Sequence, residues 1–140
     1  MRFMVLVKMN PKAESAGPPS RAALQEMNVF NDELIRDGVV LAYDGLHPSA
    51  KGARLRFGEG GTATVVDGPF TESKEIIAGY WMVELSSLQE AIERFSRAPF
   101  HGGEKLEIRK VYEPADFAPV APPEMIAEEE QIRAQLANKR

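Results

Sequence analysis

Hydrophobic and polar positions along the chain change period several times, and each change marks an element. Residues 2–9 place Phe3, Val5, Val7 and Met9 on one side of an extended chain and Met4, Leu6 and Lys8 on the other. Both sides are mostly apolar, which predicts a strand covered on both faces. Residues 10–19 break the pattern with three prolines and a glycine, and read as a loop at the rim of a cleft. From the cap Ser20 to about Asp37, a helix is predicted, with Ala23, Met27, Phe30 and Leu34 at helical spacing and Asn31 off the stripe. Gly38 supplies its left-handed stop. A short strand at 39–43 leads into a turn at Asp44-Gly45 and a loop through Leu46-His47-Pro48-Ser49.

Residues 53–57 and 62–66 predict a hairpin about Gly58-Glu59-Gly60-Gly61, with Arg54 and Arg56 on one side and Leu55 and Phe57 on the other. Residues 76–85 form the strongest strand pattern. Trp81, Val83 and Leu85 share one face, Tyr80 and Met82 the other, and Gly79 leaves room for a backbone or a ligand to approach. Ser87 and Glu90 have capping-box spacing ahead of a helix whose buried face is Leu88, Ala91, Ile92 and Phe95. A last strand at 105–112 is followed by a proline-rich stretch and a helix at 124–138. That helix carries only the narrow stripe Met125, Ile132 and Leu136, so it is expected to lie on the body of the protein or on a second subunit. The chain thus divides into an α+β domain, residues 1–117, and a proline-rich linker with a C-terminal helix, residues 118–140.

Strand, helix, strand, hairpin, strand, helix, strand is the βαββαβ order of a ferredoxin-like sandwich with an added hairpin. Two helices cover one face of such a sheet. The first and the strongest strands are apolar on both faces, so a second copy packed face to face is the economical cover, and a homodimer is expected.

Composition narrows the chemistry. Hydrophobic residues make up 44% and charged residues 27%, an ordinary globular balance. The absence of cysteine removes disulfides, thiol catalysis and cysteine-based zinc sites. The two histidines, His47 and His101, have no spacing that suggests a metal site, so neither metal nor cofactor is expected. A net charge of −4, with no basic run, argues against direct nucleic-acid binding. The apolar run near the N-terminus is too short to span a membrane and no signal-peptide cleavage pattern follows it, so a cytoplasmic protein is expected.

The residues that could do chemistry gather around Asp67-Gly68-Pro69-Phe70. Asp67 is either a turn former whose carboxylate caps local amides or a cleft carboxylate able to orient a base. His47 is either a solvated loop histidine or, within reach of Asp44 or Asp67, half of an acid–base pair. Arg54 could bind an anion or pair with neighbouring acids, and Tyr80 should line the interior formed by two sheets. The catalytic candidates are therefore His47 and Asp67, and the ligand-binding candidates Asp44, Arg54 and Tyr80.

The stretch Asp67-Gly68-Pro69-Phe70-Thr71-Glu72-Ser73-Lys74-Glu75, followed by Gly79-Tyr80-Trp81, resembles the DGPF group of the YCII-related family. Gly45-Leu46-His47-Pro48 and the ending Val111-Tyr112-Glu113 with Asp116-Phe117 fit it too, so the resemblance runs to about Phe117. It implies a dimeric α+β barrel of unsettled function. In smaller members a His–Asp pair has been proposed as catalytic, with the histidine on the first helix; the corresponding position here is about Met27. The resemblance also implies genes beside extracytoplasmic-function sigma factors. Three functions stay open: cofactor-independent acid–base chemistry on a small anionic substrate, a non-enzymatic sensor or partner in sigma-factor-linked regulation, and a structural or accessory role with no ligand.

Overall fold

The computed structural model describes residues 1–139. The chain forms two compact units, Met1–Lys110 and Val111–Arg140. In the first, β1 (Arg2–Met9), α1 (Pro11–Ser15), α2 (Arg21–Arg36) and β2 (Val40–Gly45) precede a hairpin of β3 (Ala53–Phe57) and β4 (Ala63–Asp67). Then come β5 (Ile76–Glu84), α3 (Leu88–Phe95) and β6 (Lys105–Lys110). Four strands form one sheet in the order β2-β5-β1-β6, every pair antiparallel, while β3 and β4 make a separate two-stranded sheet. The fold is mixed α+β.

One face of the larger sheet carries the core. Phe3, Val5, Val7, Trp81, Val83 and Leu85 meet Phe30 and Leu34 of α2 and Ala91 and Phe95 of α3. Phe30, Trp81 and Phe95 stack edge-on or tilted, with ring centroids 5.2–6.0 Å apart. Ser20 caps α2 by accepting from the Ala23 amide at 3.1 Å. Gly38, at φ 72°, ends that helix by donating to Ile35 while Val39 donates to Leu34, a Schellman closure that a Cβ would strain.

Several local expectations change. Residues 11–15 are not loop but a short helix, because Asn10 accepts from the Ala13 amide and Pro11 occupies its first turn. Asn31 is buried, not off the stripe, because the Trp81 indole N–H needs an acceptor and finds Asn31 Oδ1 at 2.8 Å. Only half of the capping box at α3 forms: Ser87 accepts from the Glu90 amide, but Glu90 turns to the Ser86 amide and hydroxyl. Ala91 and Phe95 are buried on that helix, whereas Leu88 and Ile92 remain exposed. The space at Gly79 is taken by backbone, since a Cβ there would lie 3.0 Å from the Asp44 carbonyl oxygen.

The opposite face of the sheet carries Met4, Leu6, Tyr80 and Met82, all half-buried, beside Ala42. On the hairpin, Leu55, Phe57 and Val65 share one side and are 58%, 68% and 61% exposed. In the second unit a 3-10 turn, Pro114–Phe117, is capped reciprocally by Glu113 and Asp116 and precedes α4 (Pro123–Asn138). The Tyr112 and Phe117 rings lie 4.9 Å apart. No described residue of α4 is buried. Among the described residues no helix is long and apolar enough to cross a membrane.

Candidate functional site

The Asp67-Gly68-Pro69-Phe70 stretch forms a corner between β4 and β5, with a cis bond between Gly68 and Pro69. It packs on a 3-10 turn, Ser49–Lys51, so closely that a Cβ on Gly68 would fall 1.6 Å from the Ser49 carbonyl oxygen. Only glycine fits there. The Gly68 amide donates to Gly52 at 3.0 Å, and the Phe70 amide donates to Ser49 Oγ at 3.1 Å. Ser49 is itself clamped by Glu14 of α1, whose carboxylate accepts from the Ser49 amide at 2.9 Å and from its hydroxyl at 2.5 Å. One buried serine therefore ties three segments together through charge-assisted bonds.

This corner supports the wall of a cavity of about 520 Å³. Leu46, Pro48, Phe70, Ile76 and Ile77 give it an apolar lining, and His47, Lys51 and Arg54 stand around it. Lys8 and Glu75 line it as well. The Leu46 amide anchors the His47 loop to the Ala78 carbonyl of β5 at 2.8 Å. Arg54 lies flat on Phe70, its guanidinium carbon 3.8 Å from the ring centre. Its Nη1 donates to Ser73 Oγ at 3.0 Å and approaches Glu72 at 3.7 Å. Arg54 Nε and Nη2, the Lys51 ammonium and the His47 ring make no hydrogen bond or ion pair among the described residues.

Lys8 differs from those cations because it is already neutralised. It donates to Glu107 at 2.9 Å and lies 3.5 Å from Glu75, which also accepts from Lys105 at 2.9 Å. The Glu107 bond holds the Lys8 ammonium above its ordinary pKa. The Lys105 bond holds Glu75, and the Lys8 bond holds Glu107, below the ordinary carboxylate value.

The sequence-predicted site residues separate. His47 and Arg54 line the same cavity. Asp44 and Tyr80 pair with each other on the open sheet face, where the tyrosine hydroxyl donates to the carboxylate at 3.1 Å. That bond raises the Tyr80 pKa. Asp67 lines neither this cavity nor its neighbour, and its carboxylate makes no hydrogen bond with His47. His101 instead reaches Glu26, at 2.8 Å. A second cavity, of about 610 Å³, lies beyond the same loop and shares Leu46, His47, Pro48 and Lys51. Among the described residues no three His, Asp or Glu side chains are grouped to hold a metal ion.

Sequence reasoning passed over Lys51, Ser49 and Glu14. Asn10-Pro11 is a legible helix start that would have placed Glu14 on a helix. Nothing in the sequence announces its bond to a serine in a distant loop.

Comparison with known proteins places the chain in a wider group. The YCII-related domain matches residues 1–115. The chain is also similar to the uncharacterized protein R00369 of Rhizobium meliloti (strain 1021), with 28% identity over 99 residues that cover 67% of this chain and 78% of that protein.

Proposed function

The chain belongs to the YCII-related family, whose function is unknown, and we propose that it is a homodimer that binds a small organic anion in the cavity at His47 and Arg54. The observation that carries this reading is the charge of the wall. Lys51 has no acid partner among the described residues, Arg54 meets Glu72 only through Nη1 at 3.7 Å and keeps its Nε–Nη2 edge open, and the one acid in the wall, Glu75, is held by Lys8 and Lys105. A concave, mostly apolar site with a few convergent polar groups is the usual form of a small-molecule pocket, and its volume falls within the usual range. Within the family, Asp67-Gly68-Pro69-Phe70 favours the DGPF group.

Catalysis is the enzymatic extension of this reading. His47, an imidazole with no protein partner, is the candidate base toward a bound anion, and no cofactor is required. Asp67 would act on His47 only through a bridging water or ligand, so binding is the better supported part. A thermal-shift screen of small carboxylates and phosphates, run on the wild type and on Arg54→Gln, tests it. At least one anion should raise the wild-type midpoint and fail to raise that of the variant. Equal stabilisation of both proteins would contradict the proposal.

The homodimer rests on two apolar surfaces, the half-buried sheet face at Met4, Leu6 and Met82 and the exposed hairpin side at Leu55, Phe57 and Val65. Sedimentation should give a dimer, and Met82→Glu should weaken it. A second reading, a protein partner linked to sigma-factor regulation, is favoured by the separate unit 111–140, where Val120, Met125 and Leu136 are exposed. Deleting residues 124–140 should then abolish capture of such a partner and leave the dimer intact.

A further inference from the structure

We propose that this cavity selects a carboxylate joined to a compact apolar body, an aryl or branched-alkyl carboxylic acid, held through the free edge of Arg54 and by Lys51. The inference rests on the anion-binding reading and narrows it to one ligand class. Arg54 is preorganised. Stacking on Phe70 fixes the plane of its guanidinium, and Ser73 fixes its rotation through Nη1. What remains without a protein partner is the Nε–Nη2 edge, two parallel N–H groups spaced to match the two oxygens of a carboxylate. A guanidinium already immobilised loses little further entropy on binding.

Lys51 supplies the second charge. Its amide donates to Pro48 within the 3-10 turn, while its ammonium makes no hydrogen bond or ion pair among the described residues and the residue lines both cavities. Leu46, Pro48, Ile76 and Ile77 offer no hydrogen-bonding side chain, so the part of the ligand that lies against them is favoured to be apolar, since polar groups there would be stranded. A volume of about 520 Å³ accommodates a single ring or a short branched chain with room for water. A carboxylate is favoured over a phosphate because the cation set offers one planar fork and one point charge, rather than a cradle of backbone amides.

The test uses the full chain in two-dimensional NMR, titrated separately with benzoate, acetate, benzyl alcohol and phenylphosphonate. Benzoate should shift the resonances of Leu46, Lys51, Phe70 and Ile77, and bind at least tenfold more tightly than acetate or benzyl alcohol. Arg54→Lys keeps the charge but not the fork, and should weaken benzoate about tenfold. Lys51→Gln removes a charge that makes no hydrogen bond or ion pair among the described residues and should weaken it several-fold. Benzyl alcohol binding as tightly as benzoate, or wild-type affinity in both variants, would overturn the clamp and leave the cavity as a site. Phenylphosphonate binding more tightly than benzoate would overturn the carboxylate class and leave the anion reading standing. If none of the four probes shifts a cavity resonance, this inference and its parent reading fall together.

Discussion

Replacing Gly68 with alanine tests whether the Asp67-Gly68-Pro69-Phe70 corner is held by backbone contact. The new Cβ would lie 1.6 Å from the Ser49 carbonyl oxygen, 2.5 Å from its carbon and 3.2 Å from the Ala50 nitrogen. Favourable heavy-atom contacts sit at about 3.5–4.0 Å, so one segment must retreat by roughly 1.5 Å or more. The obstacle is main chain, so no rotamer change relieves it. A retreat of that size breaks the Gly68-to-Gly52 bond at 3.0 Å and the Phe70-to-Ser49 bond at 3.1 Å. The Phe70 amide is buried, and leaving it unpaired costs about 1–3 kcal/mol; the half-buried Gly68 amide adds about 1 kcal/mol. The expected loss is therefore about 2–4 kcal/mol, or a fall in melting temperature of roughly 6–20 °C for a unit of this size. Gly45→Ala is the matched control, since a Cβ there meets nothing within 4 Å. Differential scanning calorimetry of the three proteins decides the matter. A Gly68→Ala protein that melts within 2 °C of the wild type would refute the reasoning.

Asn31→Ala leaves the Trp81 indole N–H buried without its acceptor and should cost about 1–3 kcal/mol in urea unfolding, whereas Asn31→Asp keeps the acceptor but buries a carboxylate with no countercharge and should cost at least as much at neutral pH. Trp81 is the sole tryptophan, so its fluorescence follows both variants directly. Acid should destabilise the protein through Glu75 and Glu107. Their folded pKa values lie below the ordinary 4.5, so their contribution is present above that value and disappears as pH falls through the folded values. Lys8 has the opposite sign: raised above 10.5, its contribution is present below that and lost as pH rises through the folded value. Glu107→Gln should flatten the acid limb of melting temperature against pH without removing it, because Glu75 and Glu90 remain. An unchanged acid limb would contradict the assignment. Ser49→Ala, which removes the hydroxyl shared by Glu14 and Phe70, should lower stability by about 2–4 kcal/mol in the same assay.

Elements with a strong period were legible in the sequence. The alternation through β1 and β5 placed Phe3, Val5, Trp81 and Val83 on the core side, and Gly38 marked the end of α2, because burial and backbone geometry restrict residue choice locally. Asn31 was not legible, since a buried amide and an exposed one look alike until the indole opposite is known. Leu88 and Ile92 misled for the reverse reason: apolar spacing names a face, but tertiary packing decides how wide a face is covered.

Two of the five candidate residues come together. His47 and Arg54 line one cavity. Asp44 and Tyr80 instead face each other across the β2–β5 pairing, a consequence of strand register rather than of motif. Gly68, noticed as part of a motif, is there for a reason of distance, the approach of Ser49, that no local pattern encodes.

The most direct measurement of the account is a crystal structure of the full chain grown with saturating benzoate. The carboxylate should lie about 2.7–2.9 Å from both Nε and Nη2 of Arg54, with the ring against Ile76 and Ile77. Density for benzoate only in the second cavity, only at surface lysines, or nowhere, with the Arg54 edge turned to solvent, would contradict it.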